Sequence, residues 1–334
     1  MNNSMIVTRT PHRISFLGGG TDLPSYFETY SGVCISMAIN KYVYVCLKDH
    51  GSLFNENFRI VYSKTELVQK IESIENLIVK SCLMYFGLEK KKLYISSISD
   101  LPSGTGLGSS SSFTVGLLLA LHKYTNQFYN LEQISDLACK IEIEIIGKSI
   151  GKQDQFSVAL PGVKIINFKK NGSVNVTTST ILSSLFSSII NDISLIWSGN
   201  TRSADPILSE QNSNTLSGSI DSQLKIIHKN CLNFIDKINI ESNHEMNILL
   251  LNKLITESWF EKRSITNNYF NKKLRYIDNV LFDLYKKENF GYKLCGAGGG
   301  GFFLAIGQKN KLKKIFPNRV SDIQIDKEGS VFLC

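Results

Sequence analysis

Period-two alternation of apolar and polar residues marks four short β-like runs among the first fifty positions, at residues 5–10, 13–17, 33–39 and 42–47. The pattern then lengthens. Leu67, Ile71, Ile74, Ile78 and Cys82 recur at helical spacing, which predicts a helix over residues 64–86. Residues 92–99 alternate again as a strand and run into a glycine-rich loop. A capped apolar repeat then predicts a helix over residues 109–124. Another helix is predicted at 131–146, an irregular loop at 147–155, and a hairpin of 163–169 with 174–179 around Asn171-Gly172. The second half reads differently. Residues 193–197 form a strand, and helical periodicity dominates 207–286. Residues 291–295, 302–306 and 323–325 read as strands, with a helix at 309–316. This change of pattern places a domain boundary near residues 170–190, hence domains 1–180 and 181–334. The class is α+β with several antiparallel strands, and no repeat or heptad stands out.

Composition agrees with two folded domains. The chain has 334 residues, and domains run to roughly 100–200 residues each. Hydrophobic residues make up 43% and charged residues 20%, enough apolar material for a core and too much for disorder. No apolar run approaches the ~20 residues that cross a bilayer, and the first residues carry Arg9, His12 and Arg13 rather than an apolar signal core. Seven scattered cysteines without a CxxC argue against a disulfide framework or structural zinc, so the expected compartment is a reducing cytoplasm. Lysine and arginine number 37 against 29 acidic residues, a net charge of +8. That charge admits anionic partners without choosing one. Its dispersal, with the tightest cluster only Lys90, Lys91 and Lys92 after Glu89, argues against nucleic acid.

Three glycine-rich segments carry the chemistry. The first to consider is Leu101-Pro-Ser-Gly-Thr-Gly-Leu-Gly-Ser-Ser-Ser-Ser112, set between a strand and an apolar helix. Glycines let backbone N–H groups approach a ligand, and the helix start adds a positive dipole end. The serines can donate to phosphate or ligate Mg²⁺. No lysine is present, so this is not a Walker loop; the alternative is a tight turn with serine caps. The second segment, Leu294-Cys-Gly-Ala-Gly-Gly-Gly-Gly-Phe302, satisfies GxGxxG. It lies near the C-terminus and precedes a strand, contrary to the dinucleotide-binding context; a glycine hairpin is the alternative. The third, Arg9-Thr-Pro-His-Arg-Ile-Ser-Phe-Leu-Gly-Gly-Gly-Thr-Asp22, delivers Thr21 and Asp22 to a loop, where Asp22 could instead cap a helix at 23–30.

Together, in this order, the segments resemble the three signature motifs of the GHMP kinases over essentially the whole chain. The resemblance implies a two-domain α+β fold: an N-terminal domain like ribosomal protein S5 domain 2, with a left-handed βαβ unit, and a ferredoxin-like C-terminal domain. It implies ATP and Mg²⁺ as cofactors. Pro102, Gly104, Gly106, Leu107, Gly108, Ser109, Ser110 and Ser111 fall on the nucleotide motif, and Gly298 and Gly299 on the C-terminal motif that supports the site from the other domain. Ile150-Gly-Lys-Gln-Asp-Gln155 resembles the galactokinase-type stretch and puts Asp154 at the catalytic base, assisted by Arg13. Glu142, twelve residues earlier, matches the family's Mg²⁺ glutamate, with Glu144 its competitor and Ser110, less favourably Ser109, the hydroxyl partner.

Within the family, Gly19 and Gly20 stand where galactokinases carry a Glu-His pair, which argues against galactose. Phe16-Leu-Gly-Gly-Gly-Thr-Asp22, Gly151-Lys-Gln-Asp-Gln155, Arg202-Ser-Ala-Asp-Pro-Ile-Leu208 with Glu210-Gln211, and Glu257-Ser-Trp-Phe-Glu-Lys-Arg263 resemble the D-glycero-D-manno-heptose 7-phosphate kinase branch, itself similar to fucokinases. The implied reaction phosphorylates the anomeric oxygen of the heptose 7-phosphate. Gly19, Gly20, Thr21, Asp22 and Gln153 would then meet the sugar. A phosphorylated sugar needs a cationic clamp separate from the nucleotide loop; Arg202, Lys262, Arg263 and Lys152 are the candidates, each otherwise a surface charge. A fucose-like sugar or mevalonate-type alcohol as acceptor, and a non-catalytic sugar sensor, are the competing readings. A homodimer is a further expectation, and neither nucleic acid nor membrane is an expected partner.

Overall fold

The computed structural model describes residues 5–201, 205–240, 243–265 and 271–334. The chain opens with strand β1 (Ile6–Leu17), helix α1 (Pro24–Tyr30) and strand β2 (Gly32–Asp49). Each strand is continuous where the sequence predicts two runs. A register shift between Pro11 and His12 pairs them with Tyr42 and Ile39, so Asn40 and Lys41 pass as a bulge. Proline, which has no N–H for the ladder, is tolerated at such a bulge. Strands β3 (Phe58–Val61) and β4 (Thr65–Val68) follow, then a 3₁₀ turn and helix α2 (Leu77–Tyr85). The predicted helix over 64–86 is therefore mostly absent. Glu66 is buried, where its carboxylate accepts from the Tyr62 hydroxyl and from the N–H groups of Glu75 and Asn76, while Leu67 is 55% exposed. The helix starts only where the Asn76 side chain caps the N–H of Val79.

Strand β5 (Leu93–Ser99) leads through the serine-rich loop into helix α3 (Ser109–Tyr124), as predicted. Helix α4 (Leu131–Cys139) continues as a single π turn, Lys140–Ile145, and α5 (Gln153–Ala159) begins inside the stretch expected to be loop. The hairpin of β6 (Val163–Phe168) and β7 (Val174–Thr177) follows, then α6 (Thr180–Ile189). The remainder comprises β8 (Ile193–Trp197), α7 (Asp205–Leu216), α8 (Asp221–Ile240), α9 (His244–Lys262), α10 (Lys272–Lys287), β9 (Gly291–Leu294), β10 (Phe302–Ile306), α11 (Lys309–Ile315), β11 (Val320–Asp322) and β12 (Val331–Phe332). The strand expected at 323–325 falls earlier, at β11. Ile325 makes only an isolated bridge to Ile39, as the chain leaves one sheet for the other.

Two sheets result. The first has eight strands in the order β12-β1-β2-β5-β3-β4, with β6 and β7 branching from β2, and only β3 and β5 pair in parallel. The second, β11-β8-β10-β9, is antiparallel throughout. Its strand order matches the βαββαβ arrangement of ferredoxin-like domains, and the fold is α+β as expected. The C-terminal tail leaves this sheet, and β12 pairs with β1 of the first. One apolar core holds both sheets: Ile14, Phe16, Ile35 and Met37 of the first pack with Leu195, Leu304 and Ile306 of the second and with Leu254 of α9.

The two central glycine segments meet back to back across this junction. A Cβ on Gly296 would lie 2.4 Å from the Gly106 Cα, and one on Gly106 would lie 2.5 Å from the Cys295 carbonyl oxygen; both residues have positive φ. Gly296→Ala is expected to destabilise the protein by about 1–3 kcal/mol through strain and clash. Urea unfolding measures this; an unchanged midpoint would mean the contact is dispensable.

Candidate active site

Arg13 leaves β1 just beyond the bulge, and its own N–H donates to the Leu107 carbonyl of the serine-rich loop at 3.0 Å. Its guanidinium then ties three segments together. Nε and Nη2 donate to the two carboxylate oxygens of Asp154 at 2.8 Å each, and Nη1 donates to the Gly106 carbonyl at 2.8 Å. A planar fork matched to a carboxylate in this way is the strong, orientation-fixing form of ion pair. The Arg13 side chain is 6% exposed and Asp154 31%, so the carboxylate keeps an open face toward the cleft. Asp154 stands in the first turn of α5, where a carboxylate suits the helix dipole. At the other end of that helix the buried Lys164 ammonium donates to the carbonyls of Ser157 and Leu160. Its burial pushes its pKa down to about 7.

Asp22 lies beside this pair. Its carboxylate accepts from the N–H groups of Gly20 and Gln153, at 2.9 and 3.3 Å. Burial, reinforced by the nearby negative charge of Asp154, pushes its pKa up. The approach of the two loops requires glycine at 151: a Cβ there would sit 2.0 Å from an Asp22 carboxylate oxygen. Helix α1 is not capped by Asp22; Leu23 occupies the N-cap position and Pro24 starts the helix.

Glu142 projects from the π turn and is completely buried. Ser110 and Ser111 each donate a hydroxyl to it at 2.8 Å, the Gln155 amide donates at 2.9 Å, and the Lys148 ammonium at 3.0 Å. Glu144 is exposed, which separates the two glutamates. Among the described residues no group of three or more His, Cys, Asp or Glu side chains is placed to hold a metal. A cation at Glu142 would therefore need oxygen atoms from a ligand as well.

The opposite wall of the cleft comes from the second sheet and its helices. Lys262, at the end of α9, donates to the Gly296 carbonyl at 2.9 Å, and Lys293 of β9 donates to the Phe16 carbonyl at 3.2 Å. Both line the cleft with Arg13, Asp22, Gln153, Asp154 and Gln211. Neither ammonium forms an ion pair within 4 Å among the described residues. Burial pushes Lys262 down and Lys293 to about 7. The side-chain nitrogens of Gln153 and Gln211 are buried there without a hydrogen-bond partner among the described residues, as is the Ser15 hydroxyl. A second cavity, of about 420 Å³, opens on the other side of the serine-rich loop. Tyr62, Asn76 and Phe113 line it, and Gly104, Ser109 and Ser110 face both spaces.

Most of the expected site residues converge here: Arg13, Gly19, Gly20, Asp22, Gly104, Gly106, Gly108, Ser109, Ser110, Ser111, Gln153, Asp154 and Lys262 all line the cleft, with Glu142 behind the serines. Others do not reach it. Thr21 is buried, its hydroxyl donating to the Gly18 carbonyl and accepting from the Val33 N–H, so it holds the loop. Lys152 turns away to the Gly172 carbonyl, and Arg263 pairs with Asp278 while stacking on Phe260. Leu107 is buried, Pro102 is exposed, and Gly298 and Gly299 shape the turn behind the cleft wall at positive φ. Arg202 lies outside the described residues. Lys293 and Lys148 escape the sequence reading, and Gln211 enters it only within a segment of family resemblance, with no role given. A lone lysine within an apolar strand is the available signal for Lys293; nothing local marks Lys148.

Residues 54–162 match the family model described as the GHMP kinases N terminal domain. Over that segment the chain carries a GHMP kinase N-terminal domain, and its homologues are sugar and alcohol kinases, phosphotransferases with an alcohol acceptor. Along nearly its full length it is similar to the D-glycero-alpha-D-manno-heptose 7-phosphate kinase of Campylobacter jejuni, 29% identical with 97% of each chain covered. It is also 26% identical to the galactokinase of Pyrococcus furiosus, over 93% of this chain and 92% of that one. Among solved structures, a D-glycero-D-manno-heptose 1-phosphate kinase from Bacteroides thetaiotaomicron shares the fold with a TM-score of 0.75 at 19% identity, covering 98% of this chain and 99% of the other. No helix among the described residues is long and apolar enough to cross a membrane.

Lys293 also makes a pH prediction. Its pKa falls from 10.5 in the unfolded chain to about 7 when folded, so the unfolded state holds more protons between those values. Stability supplied through this group therefore rises with pH across that interval. From pH ~7 to ~9, wild type should gain on Lys293→Met by up to about 1.4 kcal/mol per pH unit in urea unfolding. Parallel profiles would contradict the depressed pKa.

Proposed function

We propose that this enzyme is an ATP-dependent sugar-phosphate kinase that phosphorylates the anomeric oxygen of D-glycero-D-manno-heptose 7-phosphate, yielding the 1,7-bisphosphate for nucleotide-heptose synthesis. The observation that carries the chemistry is the Arg13 fork, which presents Asp154 at the mouth of the glycine- and serine-rich loop. Full-length similarity to a heptose 7-phosphate kinase supports the acceptor.

On this reading the phosphates of ATP lie along Gly104, Gly106, Gly108, Ser109, Ser110 and Ser111, and the base occupies the cavity lined by Tyr62, Asn76 and Phe113. The sugar sits in the main cleft against Gly19, Gly20, Asp22, Gln153 and Gln211. Asp154 accepts the proton of the attacking hydroxyl, and Arg13 orients it while compensating charge on the transferring phosphoryl group. The phosphate already on the acceptor falls to Lys262 and Lys293, the cleft cations that have no carboxylate at ion-pair distance among the described residues; Lys152 and Arg263 are engaged elsewhere.

Ser110 and Glu142 fit a magnesium ion. An octahedral ion with bonds of ~2.1 Å spaces neighbouring oxygens by about 3 Å, and Ser110 Oγ and Glu142 Oε1 are 2.8 Å apart. Bound there with the nucleotide, Mg²⁺ supplies neutralisation of the β- and γ-phosphate charge. The division into domains 1–180 and 181–334 is part of the same proposal, with the cleft between them. So is a cytoplasmic setting, supported by seven cysteines that are all free thiols.

The test is a phosphoryl-transfer assay across heptose 7-phosphate, fucose, galactose and mevalonate, with NMR of the product. The 1,7-bisphosphate is expected, and preference for an unphosphorylated acceptor would overturn the substrate. In the same assay Asp154→Asn should preserve ATP affinity and reduce turnover by roughly 10²–10⁴. A loss below about tenfold would remove Asp154 as the base.

A further inference from the structure

Lys148 occupies a position that neither its loop nor its sequence neighbours demand. Its ammonium donates to Ser110 Oγ at 2.8 Å and to Glu142 Oε1 at 3.0 Å, so it forms a triangle with the very pair that fits a divalent ion. The other carboxylate oxygen of Glu142 is taken by Ser111 and Gln155, both neutral donors. The side chain of Glu142 is 0% exposed, and Lys148 is its one ion-pair partner among the described residues. A buried carboxylate without a counter-charge is costly. The lysine therefore does in this protein what a bound cation would do.

The two cations compete. An ion held at ~2.1 Å from both oxygens would either overlap the ammonium or face it across the oxygen–oxygen edge as a like charge only about 4 Å away. Lys148 is free to leave: its side chain is 23% exposed, it lines the cleft beside the serine loop, and Gly147 before it has positive φ with open space around it. Swung away from Glu142, the ammonium stays within a cleft built for phosphate. We propose that Lys148 is the resident cation of the Ser110–Glu142 site, competing with the divalent ion and released into the cleft when the metal–nucleotide complex enters. This rests on the nucleotide and metal reading above. It goes further by making metal affinity a property set by one lysine, and by coupling metal entry to the arrival of a cation at the phosphates.

The experiment is Mn²⁺ binding, followed by electron paramagnetic resonance in the presence of a non-hydrolysable ATP analogue, at mildly alkaline pH where carboxylates are ionised. Wild type, Lys148→Met and Lys148→Gln are compared, with circular dichroism to establish that each is folded. Losing one charge-assisted competitor should tighten Mn²⁺ binding by roughly ten- to a hundredfold in both variants. The metal-free variants should melt at lower temperature than wild type, and Mn²⁺ with the analogue should restore more of that stability to them than it adds to wild type. Equal or weaker Mn²⁺ binding in the folded variants, with wild type binding normally, would overturn the role of Lys148 and leave the kinase reading standing. Failure of wild type itself to bind Mn²⁺ with the analogue would overturn the metal site, and this inference with it.

Discussion

The Arg13 guanidinium is the point on which the cleft turns. One planar cation takes both oxygens of Asp154 from α5 and the Gly106 carbonyl from the phosphate-type loop. Its backbone N–H holds Leu107 of that loop as well. Two segments distant in sequence, α5 and the serine-rich loop, are thereby fixed relative to β1 by a single residue. A lysine at this position would supply the charge without the fork, and so would leave the carboxylate free to rotate. The register shift beside Pro11 and His12, where Asn40 and Lys41 of β2 bulge, immediately precedes Arg13.

Several charged groups are withdrawn from water around this fork, and the acidic and basic ones are handled differently. Glu142 is neutralised by Lys148 and saturated by hydroxyl and amide donors. Lys164 has no carboxylate at ion-pair distance among the described residues; it donates to the carbonyls at the end of the helix that carries Asp154, and burial depresses its pKa to about 7. Lys262 and Lys293 each have a backbone carbonyl and an open cleft. The acidic machinery is thus satisfied internally, whereas the basic machinery is left with capacity for an anion. That asymmetry gives the net charge of +8 a local meaning that its global value lacked.

Local pattern was enough wherever an element is decided by its own residues. Helix Ser109–Tyr124 and strands Ile193–Trp197 and Phe302–Ile306 lie where periodicity puts them, although the helix starts from Gly108 without a side-chain cap. It failed where tertiary contacts override it. Glu66 is drawn inward by the N–H groups of Glu75 and Asn76, which converts a helical repeat into a hairpin and a short helix. Asp154 was legible as chemistry but not as the first turn of a helix, because that helix starts where the distant Asp22 accepts the Gln153 N–H. For the site, the three glycine segments led to Arg13, Asp154, Ser110 and Glu142 through family resemblance. The cationic wall was harder. Lys152 and Arg263 have the right chemistry and face other partners, and Lys293 faces the cleft from within an apolar strand. Which face a lysine presents depends on packing between two sheets, and no window of sequence contains that information.

The central claim is that Arg13 and Asp154 act as one unit rather than as two separate aids to phosphoryl transfer. A double-mutant cycle on turnover with Arg13→Met and Asp154→Asn measures this directly. If the fork holds the base in place, removing Arg13 from a protein that already lacks the base should cost little more, and the double variant should be about as slow as the slower single one. Losses that multiply across the two variants would contradict the account, and would make Arg13 an independent contributor.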